Sequence, residues 1–304
     1  MRKSNLKAGF LGAVLVCASL AQARVVGTFE RHFSVSGPTN LEVLTRSGDI
    51  TVHSGPAGTI SITGRIHVGD TWLLGDRNAD VKSLESNPPI KQDGNSVRID
   101  YVNMRNISID YEITAPADTT VSSHTGSGDQ MLDGLHSRIT LERGSGDIKL
   151  SRIQGEMNVH TGSGNVVADD VSGGFTGEAG SGDIRLHDRS GDVRIRTGSG
   201  NIELRELSGG LHAEAGSGDV TAEGKLGGDW ELRTGSGNVN VRLPSDTAFE
   251  VEARTSSGNL HIDAPVTMTI QGNVGREQHA ISGKVRGGGH LVAVHTGSGD
   301  IHIE

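Results

Sequence analysis

The chain has 304 residues, a formal net charge of −9, 45 glycines and 3% aromatic residues. An acidic balance of this size argues against nucleic acid and anionic lipid as partners, because both repel a surface of like sign. So few large side chains exclude a broad globular core and suit many tight turns around a thin interior of Ile, Leu, Val, Thr and Ala.

At the N-terminus Arg2, Lys3 and Lys7 lead into an apolar stretch from Ala8 to Leu20, followed by Ala21-Gln22-Ala23. Basic, apolar, then small-x-small is the order of a secretory signal peptide, so residues 1–23 are expected to be removed and the mature chain to begin at Arg24. Their loss takes away three positive charges and moves the net charge from −9 to −12. The single cysteine, Cys17, lies in that segment behind Val16, where a lipoprotein site wants a small residue. The mature chain is therefore expected to carry no lipid, disulfide or thiol-bound metal. No later stretch approaches the roughly 18 apolar residues of a spanning helix, which places the expected product in the periplasm, on the cell surface or in the medium.

Short strands are expected around Phe33 to Val35 and Leu41 to Leu44. Residues 69–95 break the strand pattern as a side excursion in which Asp76 to Glu85 form a short helix, closed by Pro88 and Pro89. Strands resume at Ser96 to Val102 and Ile107 to Thr114. From there the chain repeats. Gly-Ser-Gly followed by Asp or Asn starts at Gly126, Gly144, Gly162, Gly180, Gly198 and Gly216, then at Gly235. Ser256-Ser257-Gly258-Asn259 is a degenerate copy and Gly297 starts the last, with the 41-residue gap between them read as two rungs, the first without its marker. Arg46-Ser47-Gly48-Asp49 predicts that the same winding begins near residue 28.

Inside a repeat, apolar and polar residues alternate, as in Asp183-Ile184-Arg185-Leu186 and Asp192-Val193-Arg194-Ile195, with a second turn at Asp188 to Gly191 between them. Strand, turn, strand, turn in every repeat predicts an all-β fold, a single-stranded parallel β-helix (β-solenoid) of right-handed winding with 18-residue rungs. One domain over residues 24–304 is expected, with regular rungs over 121–262 and irregular ones over 263–304. Glycine supplies the positive φ of each corner, while Asp and Asn satisfy nearby amides. The glycine-aspartate calcium repeat is the nearest functional alternative, but it wants Gly-x-Gly-x-Asp, so plain turn chemistry is preferred.

A longer period of two rungs overlies the first. Two residues before each marker the chain reads His124, Glu142, His160, Glu178, Arg196, Glu214, Arg233, Arg254 and His295. In a stack each acid would lie between two basic residues, and the turn carboxylates would be separated by Asn165, Asn201 and Asn238. A recent duplication without energetic purpose would leave the same record.

No residues present themselves as a catalytic, cofactor or metal site. His290, His295 and His302 cluster in sequence on no known ligand spacing, and Asp169-Asp170 is the only adjacent carboxylate pair, whereas sugar hydrolysis needs two positioned carboxylates. The scarce aromatics, Phe29, Phe33, Phe175, Phe249, Trp72 and Trp230 among them, are expected in caps or core rather than as sugar platforms.

Several segments carry a resemblance when taken together: Ser47-Gly48-Asp49-Ile50-Thr51-Val52, Asp110-Tyr111-Glu112-Ile113-Thr114-Ala115-Pro116, Leu243-Pro244-Ser245-Asp246 with Thr255-Ser256-Ser257-Gly258, and Gly287-Gly288-Gly289 ahead of Ser298-Gly299-Asp300-Ile301. They resemble the bacterial putative-adhesin family of β-strand-repeat domains of unknown function, over nearly all of the mature chain. The resemblance implies an extracytoplasmic β-solenoid with no catalytic residues to carry over. The expected function is thus an exported, non-catalytic structural or interaction protein, adhesin-like, whose partner is an envelope or extracellular protein or polysaccharide. A secreted carbohydrate-active β-helix enzyme is the alternative, to be favoured by three or more carboxylates on one exposed sheet face away from the turns.

Overall fold

A computed structural model describes residues 24–69, 77–267 and 279–304. The signal peptide with Cys17, the start of the expected helix at Asp76, Trp72 and part of the irregular C-terminal segment lie outside the described residues.

The marker strands stack in parallel, side by side. Ile139 lies opposite Val121 on one side and Met157 on the other, and Val166 lies between Ile148 and Ile184. Each partner sits one repeat away along the chain, so every side chain meets its counterpart from the next rung. Period-two alternation sends Ile148, Leu150, Val166, Ala168, Ile184 and Leu186 inward, each at most 1% exposed. None of these units could bury its apolar edge alone; stacking does it for all of them. The result is an all-β, solenoid-like stack with the helix Asn78–Ser86 as its only helix among the described residues.

A third bend divides the strand that follows each marker, at the first residue of the turn expected over Asp188 to Gly191, and leaves Gly191 as a separate corner. Arg152, Asp170, Asp188 and Glu206 take left-handed φ values of 51 to 53°. Two outward residues stand side by side there, after which the chain turns inward again at Ile153, Val171, Arg189 and Leu207. Arg189 is the exception among those aliphatic residues. It is 1% exposed and donates to the carbonyls of Val171 (3.1 Å), Ser190 (2.8 Å), Gly173 and Asp192 (3.3 Å). Burial pushes its pKa down to about 10, so its charge is held by carbonyl dipoles rather than by a touching carboxylate.

At both ends the order in space departs from the order in sequence. Asn40–Ser47 pairs with Ser96–Ile99 on one side and Thr120–Ser127 on the other. Arg24–Ser34 runs antiparallel to Thr59–Val68, so the winding starts at Asn40 and not near residue 28. At the other end the last segment of the chain wedges into the stack. His290–Ser298 lies between Val220–Ser236 and Phe249–Ser257, and Ile301–Ile303 lies between Val239–Arg242 and Leu260–Ile262. This overturns the reading of the gap between the last two markers as two further rungs, and the regular run to residue 262 stops at Arg242. Within the gap, Ala280–Val285 runs antiparallel to Phe249–Arg254, which covers an edge that would otherwise pair with other chains.

The helix Asn78–Ser86 lies where the excursion predicts it. Val81 and Leu84 are buried, the Glu85 carboxylate accepts the Thr28 N–H at 3.0 Å, and Arg31 donates to the Glu85 and Ser86 carbonyls at 2.9 Å. The helix thereby closes over the first strand. Strand pairing resumes earlier than expected, at Ile90–Asp93, which forms a hairpin with Ser96–Ile99.

Candidate functional site

The marker Asp and Asn residues form one ladder along the corner. Oδ1 of Asp129 accepts the backbone N–H of Asp147 at 2.8 Å, Asp147 that of Asn165 at 2.8 Å, and Asn165 that of Asp183 at 3.0 Å. The series continues through Asn201 and Asp219 to Asn238, then Asp300 and Asn259. Asp and Asn interchange because only an Oδ1 acceptor is needed, which gives the turn chemistry expected from sequence its atoms.

In the middle of the stack Asn separates the carboxylates by two rungs, about 9.6 Å. Toward the N-terminal end Asp110, Asp49, Asp129 and Asp147 follow one another without an Asn. Arg143 lies against this run. It occupies the inner corner position that Thr125, Thr161 and Thr197 fill elsewhere, is 3% exposed, and brings Nη2 to 3.6 Å from Asp129 Oδ1. Burial pushes its pKa down, opposed by Asp129, Asp147 and Asp49. Its Nη2 donates to the Ser145 carbonyl at 2.9 Å, as the Thr125 hydroxyl does to Ser127, while Nε and Nη1 have no hydrogen-bond partner among the described residues, so what it adds over threonine is charge. A double-mutant cycle tests this: Asp129→Asn should weaken the native protein yet strengthen Arg143→Thr, with a coupling of about 1 kcal/mol in denaturant melts. Additive effects would mean that Arg143 does not compensate the carboxylates.

The charge column stands in register as the two-rung period predicts, but its ion pairs are one-sided. His124 meets Glu142 at 3.2 Å, His160 meets Glu178 at 3.5 Å, and Arg196 meets Glu214 at 2.8 Å. The rungs therefore pair two by two. Beyond Glu214 the wedged segment changes the order to Arg233, His295, Arg254, three basic residues in adjacent rungs. Glu178→Lys should cost about 1 kcal/mol and less in high salt, since it replaces one exposed pair by repulsion from His160 and Arg196. Glu203, an outward acid outside the column, bonds Arg205 at 2.6 Å and Arg185 at 3.6 Å, so it is no neutral comparison for this change. Glu252 is exposed and forms no ion pair among the described residues. Equal losses for Glu178→Lys and Glu252→Lys would reduce the alternation to a record of duplication.

The residues weighed from sequence as sites disperse. Asp170 sits at the third bend beside Asp169, His290 lies 3.5 Å from Asp229, and His295 belongs to the charge column. Phe29, Phe175, Phe249 and Trp230 are buried, leaving Tyr101 as the exposed large aromatic among the described residues. Carboxylates do gather in a groove of about 530 Å3 at the second turn, where Glu156, Asp192 and Asp229 alternate with Gly174 and Gly210 and Glu231 adds a fourth. Asp192 accepts the Gly210 N–H and Asp229 the Leu291 N–H, both at 2.9 Å, so these two are turn acceptors. One cluster escaped the sequence reading. His261 Nε2 lies 2.6 Å from Asp263 Oδ1, and His302 Nε2 lies 2.9 Å from Asp263 Oδ2. The His302 and His261 contacts hold the Asp263 carboxyl below the usual range. His261 and His302 face each other only because the last strand wedges beside Leu260–Ile262, which spacing in the sequence does not reveal.

Fold and ladders together define an all-β repeat protein whose outward groups mostly serve the stack. The chain belongs to the Toastrack DUF4097 family, whose model matches residues 34–191 and again 175–304. This agrees with the bacterial putative-adhesin resemblance of the Ser-Gly-Asp segments. No curated protein matches. Among solved structures the chain is similar to a "putative cell adhesion protein" from Clostridium sporogenes ATCC 15579, with 12% identity, 91% of this chain and 98% of that one covered, and a TM-score of 0.23. It is also similar to a "putative adhesin" from Bacteroides fragilis NCTC 9343, with 13% identity, 91% and 97% covered, and a TM-score of 0.34.

Proposed function

We propose that the chain is an exported, non-catalytic, adhesin-like interaction module that binds anionic groups of an envelope or extracellular macromolecule at its C-terminal end. The observation that carries this reading is the run Arg233, His295, Arg254. Like charges directly opposite one another on neighbouring strands destabilise a sheet, and elsewhere in this column an acid intervenes. Arg233 reaches Glu231, while Arg254 and His295 form no ion pair among the described residues and line a groove of about 310 Å3 with Ser256 and Gly297, in which the one carboxylate, Glu214, is held by Arg196. A carboxylate, phosphate or sulfate from a partner would complete the alternation. The acidic remainder of the surface confines such binding to this end.

The enzyme alternative draws little support, because two of the four gathered carboxylates hold backbone N–H groups at turns and Glu231 is paired with His212 and Arg233. The reading further takes residues 24–304 as one domain, with the 69–95 excursion, wound as a right-handed parallel β-helix of 18-residue rungs. Support comes from the uniform register and from the general right-handedness of parallel connections.

Retention of the purified chain on envelope fractions or on acidic polysaccharide should fall with salt and be lost in Arg254→Glu. Unchanged retention in that variant would defeat the proposal. Intact-mass analysis of protein from the native host should show a chain starting at Arg24. A species keeping Met1, or carrying lipid on Cys17, would remove the export part.

A further inference from the structure

We propose that His261, Asp263 and His302 form a binding site for one divalent transition-metal ion of the zinc, copper or nickel class. Their ligand atoms all lie within 4.8 Å of one another. His261 and His302 are register partners on neighbouring parallel strands, with ring centroids 5.3 Å apart, and both Nε2 atoms converge on the same carboxylate. Two imidazoles and one carboxylate suit borderline cations and leave further positions for water. Calcium, which wants six to eight oxygen ligands, does not suit this donor set. All three side chains are between 41 and 70% exposed, so an ion reaches them without opening the fold. On the inner side the next rung presents Asn240, a neutral neighbour that does not repel a cation.

The site has a mechanical consequence. Leu260–Ile262 is three residues long with no fully buried member, and its strand pairing among the described residues is with Ile301–Ile303 alone. These two segments lie far apart in sequence, each directly after one of the last two markers. An ion shared by His261 and His302 would bond them directly, stapling the outermost part of the stack to the wedged segment, and would stabilise the end by mass action.

The test uses the mature chain with any purification tag removed and metal stripped by chelator. Titration with zinc chloride, followed calorimetrically at neutral pH, should give one ion per chain, and hydrogen exchange should slow at residues 259–263 and 301–304. His261→Ala and His302→Ala should each weaken binding about tenfold or more, as should the size-conserving His302→Gln, while His290→Ala should leave it unchanged. The substituted positions are exposed, so the metal-free variants should melt like the parent. Absence of saturable zinc binding, or binding that survives His261→Ala and His302→Ala, would overturn the site. Equal protection by calcium chloride would overturn the assignment of the donors.

Discussion

Gly182→Ala should lower stability by about 3 kcal/mol or more, as one of the largest single effects in the repeat. Gly182, the second glycine of the marker, has a φ of +135°, and a Cβ there would lie 2.1 Å from the Gly164 carbonyl oxygen of the neighbouring rung. Neither side can yield easily. The Gly182 N–H is bonded to Ser199 O at 2.9 Å and the Gly164 N–H to Ser181 O at 3.0 Å, so separating the backbones breaks the ladder on both sides of the corner. Gly37 provides the comparison. It also has a positive φ, +80°, but a Cβ there would meet nothing within 4 Å, so Gly37→Ala carries conformational strain alone, about 1–2 kcal/mol. Urea melts of the two variants separate strain from close approach. Equal losses would show that the marker glycine is kept for its φ and not for the contact between rungs.

Much of this stack is readable from the chain because the repeat is a statement about register. Once Gly-Ser-Gly recurs at a fixed interval and Ile184 and Leu186 alternate with polar neighbours, parallel stacking follows, and with it the Asp and Asn ladder and the charge column. What is not readable depends on contacts between segments that no local pattern joins. The wedge of His290–Ser298 between Val220–Ser236 and Phe249–Ser257 is one such contact, and it sets both the run Arg233, His295, Arg254 and the meeting of His261 with His302. The third bend left a faint signal in the doubled polar pairs Ser151-Arg152, Asp169-Asp170 and His187-Asp188. Strict alternation would have placed one of each pair inside, and a left-handed residue turns it out. Arg143 and Arg189 sit at inner positions where their neighbours are small or aliphatic, so periodicity alone could not distinguish a misplaced charge from one that the fold uses.

Ile184→Asp should be still more damaging, with a loss of several kcal/mol. Ile184 is 0% exposed and stacks between Val166 and Ile202, so a carboxylate there replaces apolar contacts with two rungs and finds no cation on the inner face of its stripe. Deleting a methyl group separates packing from charge: Ile184→Val should cost only about 0.5–1.5 kcal/mol. Lys149→Asp separates burial from charge, because Lys149 points outward on an equivalent strand, and its loss should stay below about 1 kcal/mol. The introduced carboxyl should also show its burial through pH. Burial disfavours the charged form and raises its folded pKa above the unfolded value, so above that unfolded value the folded state binds more protons and stability falls as pH rises. The deficit of Ile184→Asp relative to Ile184→Val should therefore be smaller near pH 4 than near pH 7. A deficit independent of pH would mean that the carboxylate reaches water, and that the inner stripe of the stack opens more readily than its packing implies.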